Sequence, residues 1–349
     1  MRAYGELLIG GRWVPPASSD RLEVRSPHDR SLVGTVPLVT TADVDRAVAA
    51  ARAAFDDGPW PRMTPAERQA VVERFSALYA KRAAEAAELI TAENGSPIWF
   101  TGMLQAGMPG WVDDFVRVAR DYDWERLDED PRGPRTLVRR EPVGVVAAVI
   151  PWNAPHQSAL VKIVPALLAG CTVVLKPAPE TAVDGMLLAE VLAEAGFPEG
   201  VVGVLPADRE VGAHLVAHPW VDKIAFTGST AAGRRIAAVA GEQLKRVSLE
   251  LGGKSASVVL DDADVEQVVA GLRFATFGNN GEACVAHTRV LARRPGTGRS
   301  SRPWPTWSTG SPSGTRPTRP RSSGRWSRNG SRSGCSPTST RASPTAPPS

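Results

Sequence analysis

The chain has 349 residues, of which 42% are hydrophobic, and its 41 basic and 37 acidic residues give a net charge of +4. This length and apolar content allow two domains with buried cores and exclude a wholly disordered chain. No stretch has the length of an apolar membrane span, the first residues lack a signal peptide's apolar core, and three widely separated cysteines suggest neither disulfides nor a metal site. We therefore expect a cytoplasmic protein without a membrane partner.

The composition changes abruptly near Arg293. Residues 294–349 contain ten arginines, no acidic residue, and no Leu, Ile, Val, Met, Phe or Tyr. Residues 1–293 thus hold 31 basic and 37 acidic residues, a net charge of −6. A segment of this composition cannot bury a core, so we predict that residues 294–349 are disordered.

Two interpretations of this tail are open. It can be an Arg/Ser-rich arm that binds nucleic acid, or the product of a one-base shift in the reading frame. Tryptophan has a single codon, TGG, and reading it one base early gives NTG, which encodes Leu, Val or Met. Hydrophobic residues would then replace Trp304, Trp307 and Trp326. We favour the frame error and do not expect a nucleic-acid partner.

The N-terminal third of the chain is expected to be helical. Apolar residues recur at helical spacing over 44–55, after a Thr41-Ala42-Asp43 start. Thr64-Pro65-Ala66-Glu67 combines a capping box with proline at the first helical position. A second helix should begin there and end near Gly95.

The pattern changes at residue 143, where short apolar runs begin to alternate with helical patterns. Such runs are typical of a parallel sheet covered on both faces. We therefore predict an α/β fold with a doubly wound, parallel-sheet dinucleotide-binding domain. The predicted strands are residues 143–150, 172–176, 201–205, 223–226, 246–249 and 256–260.

Four residues fall at or just after the ends of predicted strands: Asn153, Lys176, Gly228 and Glu250. Ligands of doubly wound sheets bind at the carboxyl ends of the strands, so these residues should line one site. Lys176 can donate to a ribose, and the helix that begins at Gly228-Ser229 has free N–H groups that can hold a phosphate.

A glutamate and a cysteine 34 positions apart can supply a base and a nucleophile. Cys284 lies among small residues in Gly281-Glu282-Ala283-Cys284, where a carbonyl carbon can approach its sulfur, and thiolate is the attacking form. Glu250, in Leu249-Glu250-Leu251-Gly252-Gly253-Lys254, can activate water for a later hydrolysis. Taken alone, each also fits a simpler role, as a buried apolar side chain or a solvated charge.

Three further segments accompany this pair: Val149-Ile150-Pro151-Trp152-Asn153, Lys176-Pro177-Ala178-Pro179-Glu180-Thr181 and Ala225-Phe226-Thr227-Gly228-Ser229-Thr230. Together with the cysteine and glutamate motifs, their order and spacing resemble the aldehyde dehydrogenase superfamily over about residues 7–292. The resemblance implies NAD(P)-dependent oxidation of a small-molecule aldehyde to a carboxylic acid.

In that family the reaction passes through a thiohemiacetal and a thioester on the cysteine. The resemblance therefore implies that Cys284 is the nucleophile and that Glu250 activates the hydrolytic water. Asn153 would stabilise the oxyanion, and Lys162 would relay protons. From the residues alone, Asn153 can also be a turn residue and Lys162 a solvent-facing helix residue.

The resemblance also implies a dinucleotide site, which the family builds without the G-x-G-x-x-G fingerprint that this chain lacks. Pro179 stands where many NAD-using relatives have a glutamate that repels a 2′-phosphate, and Glu180 follows it, so NAD is expected and NADP stays open. The residues expected to contact the cofactor are Ile150, Pro151, Trp152, Asn153, Lys176, Pro179, Glu180, Phe226, Thr227, Gly228, Ser229 and Leu251.

Three regions are predicted: a dinucleotide-binding domain over 1–250, with an oligomerisation segment at 125–142, an incomplete α/β catalytic domain over 251–293, and the tail. Full-length relatives are homo-oligomeric, and the tail replaces their C-terminal oligomerisation strand and their distal E-x-F motif. A catalytically silent nucleotide-binding fragment is therefore the first alternative function, and nucleic-acid binding through the tail the second. Glu282, where the family commonly has glutamine, is expected to raise the pKa of Cys284.

Overall fold

The computed structural model describes residues 1–129 and 133–292, so the tail predicted at 294–349, with its proposed frame error, lies outside the described residues. The described residues form an α/β fold, which confirms the predicted class. The helices are α1 (Thr41–Asp56), α2 (Pro65–Asn94), α3 (Ile98–Arg120), α4 (Pro155–Leu168), α5 (Ala182–Glu194), α6 (Arg209–Ala217), α7 (Thr230–Glu242) and α8 (Val265–Phe277). The strands are β1 (Arg2–Ala3), β2 (Leu7–Ile9), β3 (Arg12–Val14), β4 (Arg21–Arg25), β5 (Leu32–Pro37), β6 (Glu125–Asp128), β7 (Thr136–Arg139), β8 (Val145–Val149), β9 (Thr172–Lys176), β10 (Val202–Val204), β11 (Lys223–Gly228), β12 (Arg246–Leu251), β13 (Ala256–Val258) and β14 (Arg289–Leu291).

A seven-stranded sheet in the order β12-β11-β8-β9-β10-β2-β3 forms the centre of the fold. The five strands from β12 to β10 are parallel, as predicted, and both faces are covered. Alternate residues of β8 point to opposite faces: Val146 and Ala148 pack with α2 to α5, whereas Val145 and Ala147 pack with α1, α6 and α7. All four are buried, which explains the continuous apolar run of this strand.

The prediction that the N-terminal third is helical is wrong for residues 2–37, which form β1 to β5. Strands β2 and β3 join the central sheet as an antiparallel hairpin at its edge, and Leu7, Leu8 and Ile9 are all buried. These strands are only two to six residues long. A run of this length is too short for a period of two to be distinguished from a helical period.

The two predicted helices of this third are present, and the capping box at the start of α2 is confirmed. Thr64 Oγ1 accepts from the backbone N–H of Glu67, and the Glu67 carboxylate accepts from the Thr64 N–H at 2.7 Å. The helix ends at Asn94, and Gly95 follows in the left-handed conformation with φ of +80°. This glycine ends α2 beside the loops of the candidate site.

The predicted strand at 256–260 forms β13, but it does not belong to the central sheet. Among the described strands it pairs, in parallel, with β14, in a separate two-stranded sheet whose Val258 and Leu291 are 64% and 54% exposed. Helix α8 beside it has no buried residue. Within the described residues, these two parallel strands and one helix do not enclose a core.

The segment 125–142 contains β6 and β7, which pair as two antiparallel strands with Leu127 opposite Leu137. Both leucines are exposed. The assignment of this segment to oligomerisation stays a prediction. Among the helices of the described ranges, none combines the length and the apolar character that a membrane crossing requires.

Candidate active site

The carboxyl ends of the central parallel strands lie at one edge of the sheet, as the sequence predicted. Lys176 is the last residue of β9, Gly228 is the last of β11, and Asn153 follows β8 by four residues. Thr227 of β11 is paired with Glu250 of β12. The parallel register therefore brings together side chains that are up to 97 positions apart in the sequence.

Cys284 lies in the loop between α8 and β14 and is half-buried. Its thiol shares a hydrogen bond with the Glu250 carboxylate. Burial raises the pKa of the thiol, the Glu250 charge and this bond raise it further, and the backbone N–H groups of Val285 and Cys284 lower it. The thiol form of Cys284 is therefore favoured at neutral pH, with the Glu250 carboxylate as its hydrogen-bond acceptor.

Asn153 contacts the cysteine loop directly. Its Nδ2 donates to the backbone carbonyl of Glu282 at 2.6 Å. A side-chain amide has two N–H donors, so the second one can act on another acceptor near Cys284. Burial raises the pKa of Glu282 itself to about 6. Among charged groups, Glu250 has the largest influence on the pKa of the thiol, whereas the sequence had suggested Glu282.

Lys162 lies in α4 and is half-buried, which corrects its interpretation as a solvent-facing lysine. Its Nζ donates to Thr227 Oγ1 at 2.5 Å. Burial lowers the pKa of Lys162 to about 8, against the opposing influence of Glu250 and Cys284. The lysine therefore titrates in the range where it can accept and release a proton near neutral pH.

A cavity of about 350 Å³ adjoins Lys162 and Glu250 on the α4 face of the sheet. Val161, Pro165 and Phe226 contribute apolar side chains to its lining, and Glu141, Lys223 and Ser248 contribute polar ones. Lys162 and Glu250 thus border a space whose lining is partly apolar and partly polar. Electrostatic interactions between them are stronger there than in open solvent.

Lys176 is 7% exposed, and within the described residues no side-chain hydrogen bond or ion pair reaches its ammonium. Its stem packs over Gly212 of α6, where an added Cβ would lie 3.4 Å from Lys176 Cδ. Burial lowers the pKa of this lysine to about 8, although Glu180 and Asp208 oppose the shift. A buried cation with free donors fits a ligand that presents hydroxyl or phosphate oxygens.

The start of α7 offers a second contact of the same kind. Ser229 is its N-cap, with Oγ accepting from the backbone N–H of Ala232 at 3.2 Å, and the first N–H groups of the helix have no partner within it. Gly228 before it packs tightly on the ring of Phe226, which an added Cβ would meet at 2.5 Å. A dinucleotide with its ribose near Lys176 and a phosphate near Ser229 therefore fits the residues present.

The remaining residues predicted for the cofactor lie along the same edge. Ile150 and Thr227 are buried, and the Trp152 carbonyl accepts from Asn94 Nδ2 at 2.9 Å. Four more residues complete the predicted set. Pro179 and Glu180 lie in the 3-10 turn Pro179–Thr181. Pro151 directly follows Ile150, and Leu251 ends β12. Across the described ranges, His, Cys, Asp and Glu side chains form no group of three or more that can hold a metal ion.

Sequence reasoning missed the asparagines that connect these loops. Asn279 Nδ2 donates to the Asn153 carbonyl at 2.9 Å, and Asn280 Nδ2 donates to the Gly95 carbonyl at 3.0 Å. Both residues, and Gly281 after them, have positive φ. An Asn-Asn-Gly run directly before the cysteine motif is a turn signal that marks this geometry.

Comparison with known proteins agrees with this geometry. The model of the aldehyde dehydrogenase family matches residues 13–297 of the chain. The chain belongs to the aldehyde dehydrogenase family. It is 43% identical to geranial dehydrogenase from Castellaniella defragrans over 290 residues, which are 83% of this chain and 61% of that protein. It is 40% identical to phenylacetaldehyde dehydrogenase from Pseudomonas fluorescens over 299 residues, which are 83% of this chain and 59% of the relative.

Solved aldehyde dehydrogenase structures share the fold. The structure of the Mycobacterium tuberculosis enzyme, complexed with NAD+, matches with a TM-score of 0.81 and 46% identity, over 84% of this chain and 61% of that one. A mutant of aldehyde dehydrogenase C from Pseudomonas syringae, complexed with NAD+ and octanal, matches with a TM-score of 0.75 and 38% identity, over 82% and 58%. This family member thus spans about 60% of the length of the relatives it matches.

Proposed function

We propose that the chain carries the nucleophile, the base and the dinucleotide-binding residues for oxidation of an aldehyde to a carboxylic acid. The contact between the Cys284 thiol and the Glu250 carboxylate, with Asn153 bonded to the same cysteine loop, is the observation that carries the proposal. The two relatives described above are named as dehydrogenases of aldehydes, geranial and phenylacetaldehyde. An aldehyde is accordingly the proposed substrate class.

The first step is attack of the Cys284 sulfur on the aldehyde carbon. The thiol proton passes to Glu250, the C–S bond forms, and the carbonyl π electrons move to the oxygen. The free N–H of the Asn153 amide and the backbone N–H of Cys284 stabilise this oxyanion. The product is a thiohemiacetal on Cys284.

NAD is the proposed cofactor, and NADP stays open because Pro179 replaces the glutamate of many NAD-using relatives. Lys176 and the start of α7 at Ser229 would hold its ribose and phosphate oxygens, and the residues from Ile150 to Trp152 would lie against it. When bound, NAD supplies the two-electron acceptor for oxidation of the aldehyde carbon. The part played by this chain is to hold the reacting carbon on the Cys284 sulfur.

Hydrolysis of the resulting thioester needs an activated water molecule. Once Glu250 has released the thiol proton to solvent, its carboxylate is the proposed base, because it contacts the Cys284 thiol and borders the cavity beside Lys162. Lys162, with a pKa of about 8, can accept the proton when it is in its neutral amine form, and then pass it on. The C–S bond breaks, and Cys284 leaves as thiolate.

A second candidate function is dinucleotide binding without turnover. The exposed α8 and β13–β14, and the share of the relatives that the chain spans, favour it. We also propose that 1–250 is the dinucleotide domain, with 125–142 its oligomerisation segment, and 251–293 the catalytic part. The nucleic-acid alternative depends on residues 294–349, outside the described part of the chain.

Hydrolysis of p-nitrophenyl acetate tests the chemistry without cofactor. Cys284→Ala is expected to release no p-nitrophenol above background, because no thioester can form. Glu250→Gln is expected to give one equivalent in a burst and then a steady rate at least about 10-fold below wild type, since deacylation loses its base. A steady rate equal to wild type would remove Glu250 from this role.

Turnover of aldehydes with NAD separates the two candidate functions. NAD-dependent oxidation of short and aromatic aldehydes by the 349-residue chain supports catalysis. Binding of NAD without turnover, together with a normal burst from the ester, supports the silent fragment.

A further inference from the structure

Asn279 closes a small ring of hydrogen bonds between the Asn153 loop and the Cys284 loop. Its Nδ2 donates to the Asn153 carbonyl at 2.9 Å and to the Glu282 carbonyl at 3.4 Å. The Asn153 Nδ2 donates to the same Glu282 carbonyl at 2.6 Å. The Glu282 N–H in turn donates to the Asn279 carbonyl at 2.9 Å. The two loops are therefore joined through both side-chain amides.

This arrangement fixes the orientation of the Asn153 amide. With one N–H of Asn153 held on the Glu282 carbonyl, the amide plane is set and the second N–H has a defined direction. Without the Asn279 side chain, the bond from Asn153 Nδ2 to the Glu282 carbonyl would remain as the link between Asn153 and the Cys284 loop. The amide could then follow the movements of either loop.

The surroundings of Asn279 agree with a specific role for its side chain. The residue is 1% exposed, and its Oδ1 is buried without a hydrogen-bond partner in the described residues. Its backbone is left-handed, with φ of +52°. Glycine would satisfy that conformation without burying an amide, so the turn alone does not require asparagine.

We propose that Asn279 is a positioning residue, which holds the Asn153 amide in the direction that stabilises the oxyanion on a Cys284 adduct. The inference rests on the proposed function, in which Asn153 donates to that oxyanion. Asn279 itself does not contact the reacting atoms. Its effect should therefore appear only in reactions of Cys284 that develop an oxyanion.

Two reactions of the same sulfur make this distinction measurable. Acylation by p-nitrophenyl acetate passes through a tetrahedral oxyanion and requires the Asn153 donor. Alkylation by iodoacetamide displaces iodide in one step and forms no oxyanion, so it reports only the exposure and ionisation of the thiol. The ratio of the two rates isolates oxyanion stabilisation from folding and from the pKa of Cys284.

The test compares Asn279→Gly with Asn280→Gly in the 349-residue chain. Both variants keep a residue suited to positive φ, and Asn280 bonds to Gly95 rather than to the Asn153 loop. Asn279→Gly is expected to lower the acylation-to-alkylation ratio about 10- to 100-fold, as misplacement of an oxyanion donor does. Asn280→Gly is expected to leave the ratio within about twofold.

Asn279→Asp provides a second variant, which keeps the size of the side chain and removes its N–H donors, and its ratio is expected to fall as well. In the double variant Asn153→Ala/Asn279→Gly, the ratio should be no lower than in Asn153→Ala, because the two residues act through one donor. Additive losses would overturn the inference.

The controls separate this inference from the proposed function. A lowered ratio in Asn153→Ala together with an unchanged ratio in both Asn279 variants rejects the role of Asn279 and leaves that of Asn153 intact. An unchanged ratio in Asn153→Ala rejects the oxyanion role of Asn153, and the inference about Asn279 with it.

Discussion

Burial and a neighbouring carboxylate both oppose the thiolate form of Cys284. Glu250→Gln removes the charge and is expected to lower the pKa of the thiol, because the thiolate is then no longer repelled. The rise of the iodoacetamide alkylation rate with pH should therefore move to lower pH. The measurement is a pH–rate profile between pH 6 and 10, reading out the modified Cys284 by mass spectrometry.

Glu282→Gln is the matched control for this profile. Glu282 is two residues from Cys284 in the sequence, but the pKa of the thiol is raised mainly by burial and then by Glu250. We expect its profile to stay close to wild type. A larger shift in Glu282→Gln than in Glu250→Gln would show that proximity along the chain, rather than the contact with Glu250, sets the pKa.

Lys176 carries a cost in stability that depends on pH. Its pKa in the folded chain is about 8, below the ordinary 10.5, so the buried ammonium destabilises the fold below pH 8 and the penalty disappears as the pH rises to 10.5. Lys176→Met is expected to raise the free energy of unfolding at pH 7 by up to about 3 kcal/mol and to weaken NAD binding. Urea unfolding at pH 7 and pH 10 checks the sign: a gain at pH 10 as large as at pH 7 would contradict it.

The principal candidate residues were predictable because each has a distinctive chemical type at a strand end or in a small-residue motif. Cys284, Glu250 and Lys176 belong to this group, and the location of Glu250 and Lys176 at one edge of the sheet followed from the geometry of parallel strands. Asn279 was not predictable in this way. Its contacts go to backbone carbonyls of another loop, and the sequence shows only that a turn is present.

At the level of single elements, β8 begins at a junction that tolerates only glycine. Gly144 has φ of +124°, and a Cβ there would collide with the Asp222 carboxylate. That carboxylate accepts from the Val145 N–H at 2.7 Å and from Arg52 Nη1 at 2.9 Å, so it joins the starts of β8 and β11 to α1. Gly144→Ala is expected to lower the free energy of unfolding by at least about 2 kcal/mol, measured by urea unfolding.

Gly241→Ala is a matched control in α7. An added Cβ at that position meets no atom within 4 Å, and its φ is not positive. Alanine in a helix is favoured over glycine, so a gain of about 0.5–1 kcal/mol is expected. If Gly144→Ala behaved like Gly241→Ala, the carboxylate of Asp222 would not constrain this junction.

The strands of residues 143–228 were predicted to within about two residues, whereas those of residues 2–37 were not predicted. Strand β9 was located at Thr172–Lys176, because both of its faces are covered, every position is buried and its three central residues are apolar. Strand β4 alternates arginine and glutamate with apolar residues over five positions, at the surface. Short edge strands depend on tertiary pairing, which local patterns do not contain.

For the molecule as a whole, stability is expected to be distributed unevenly. The central strands β8 and β9 are completely buried, whereas α8 has no buried residue, and Val258, Phe274 and Phe277 are more than half exposed. Amide hydrogens of residues 256–291 should therefore exchange much faster than those of β8 and β9. Hydrogen exchange read by mass spectrometry of peptic peptides measures this difference.

Equal protection of the two regions would contradict this expectation and would mean that another surface covers α8 and β13–β14. Comparing a dilute with a concentrated sample then identifies a second copy as the cover, because only that protection depends on the concentration of the chain.

The pairing of the β2–β3 hairpin with β10 sets an order for assembly during synthesis. Leu8 lies opposite Val204, 196 positions later in the chain. At about 5–20 residues per second, a ribosome makes β10 roughly 10–40 s after the hairpin. Leu7, Leu8 and Ile9 must wait that long for the strand beside which they are buried, so this hairpin leaves the ribosome well before it can reach its final place.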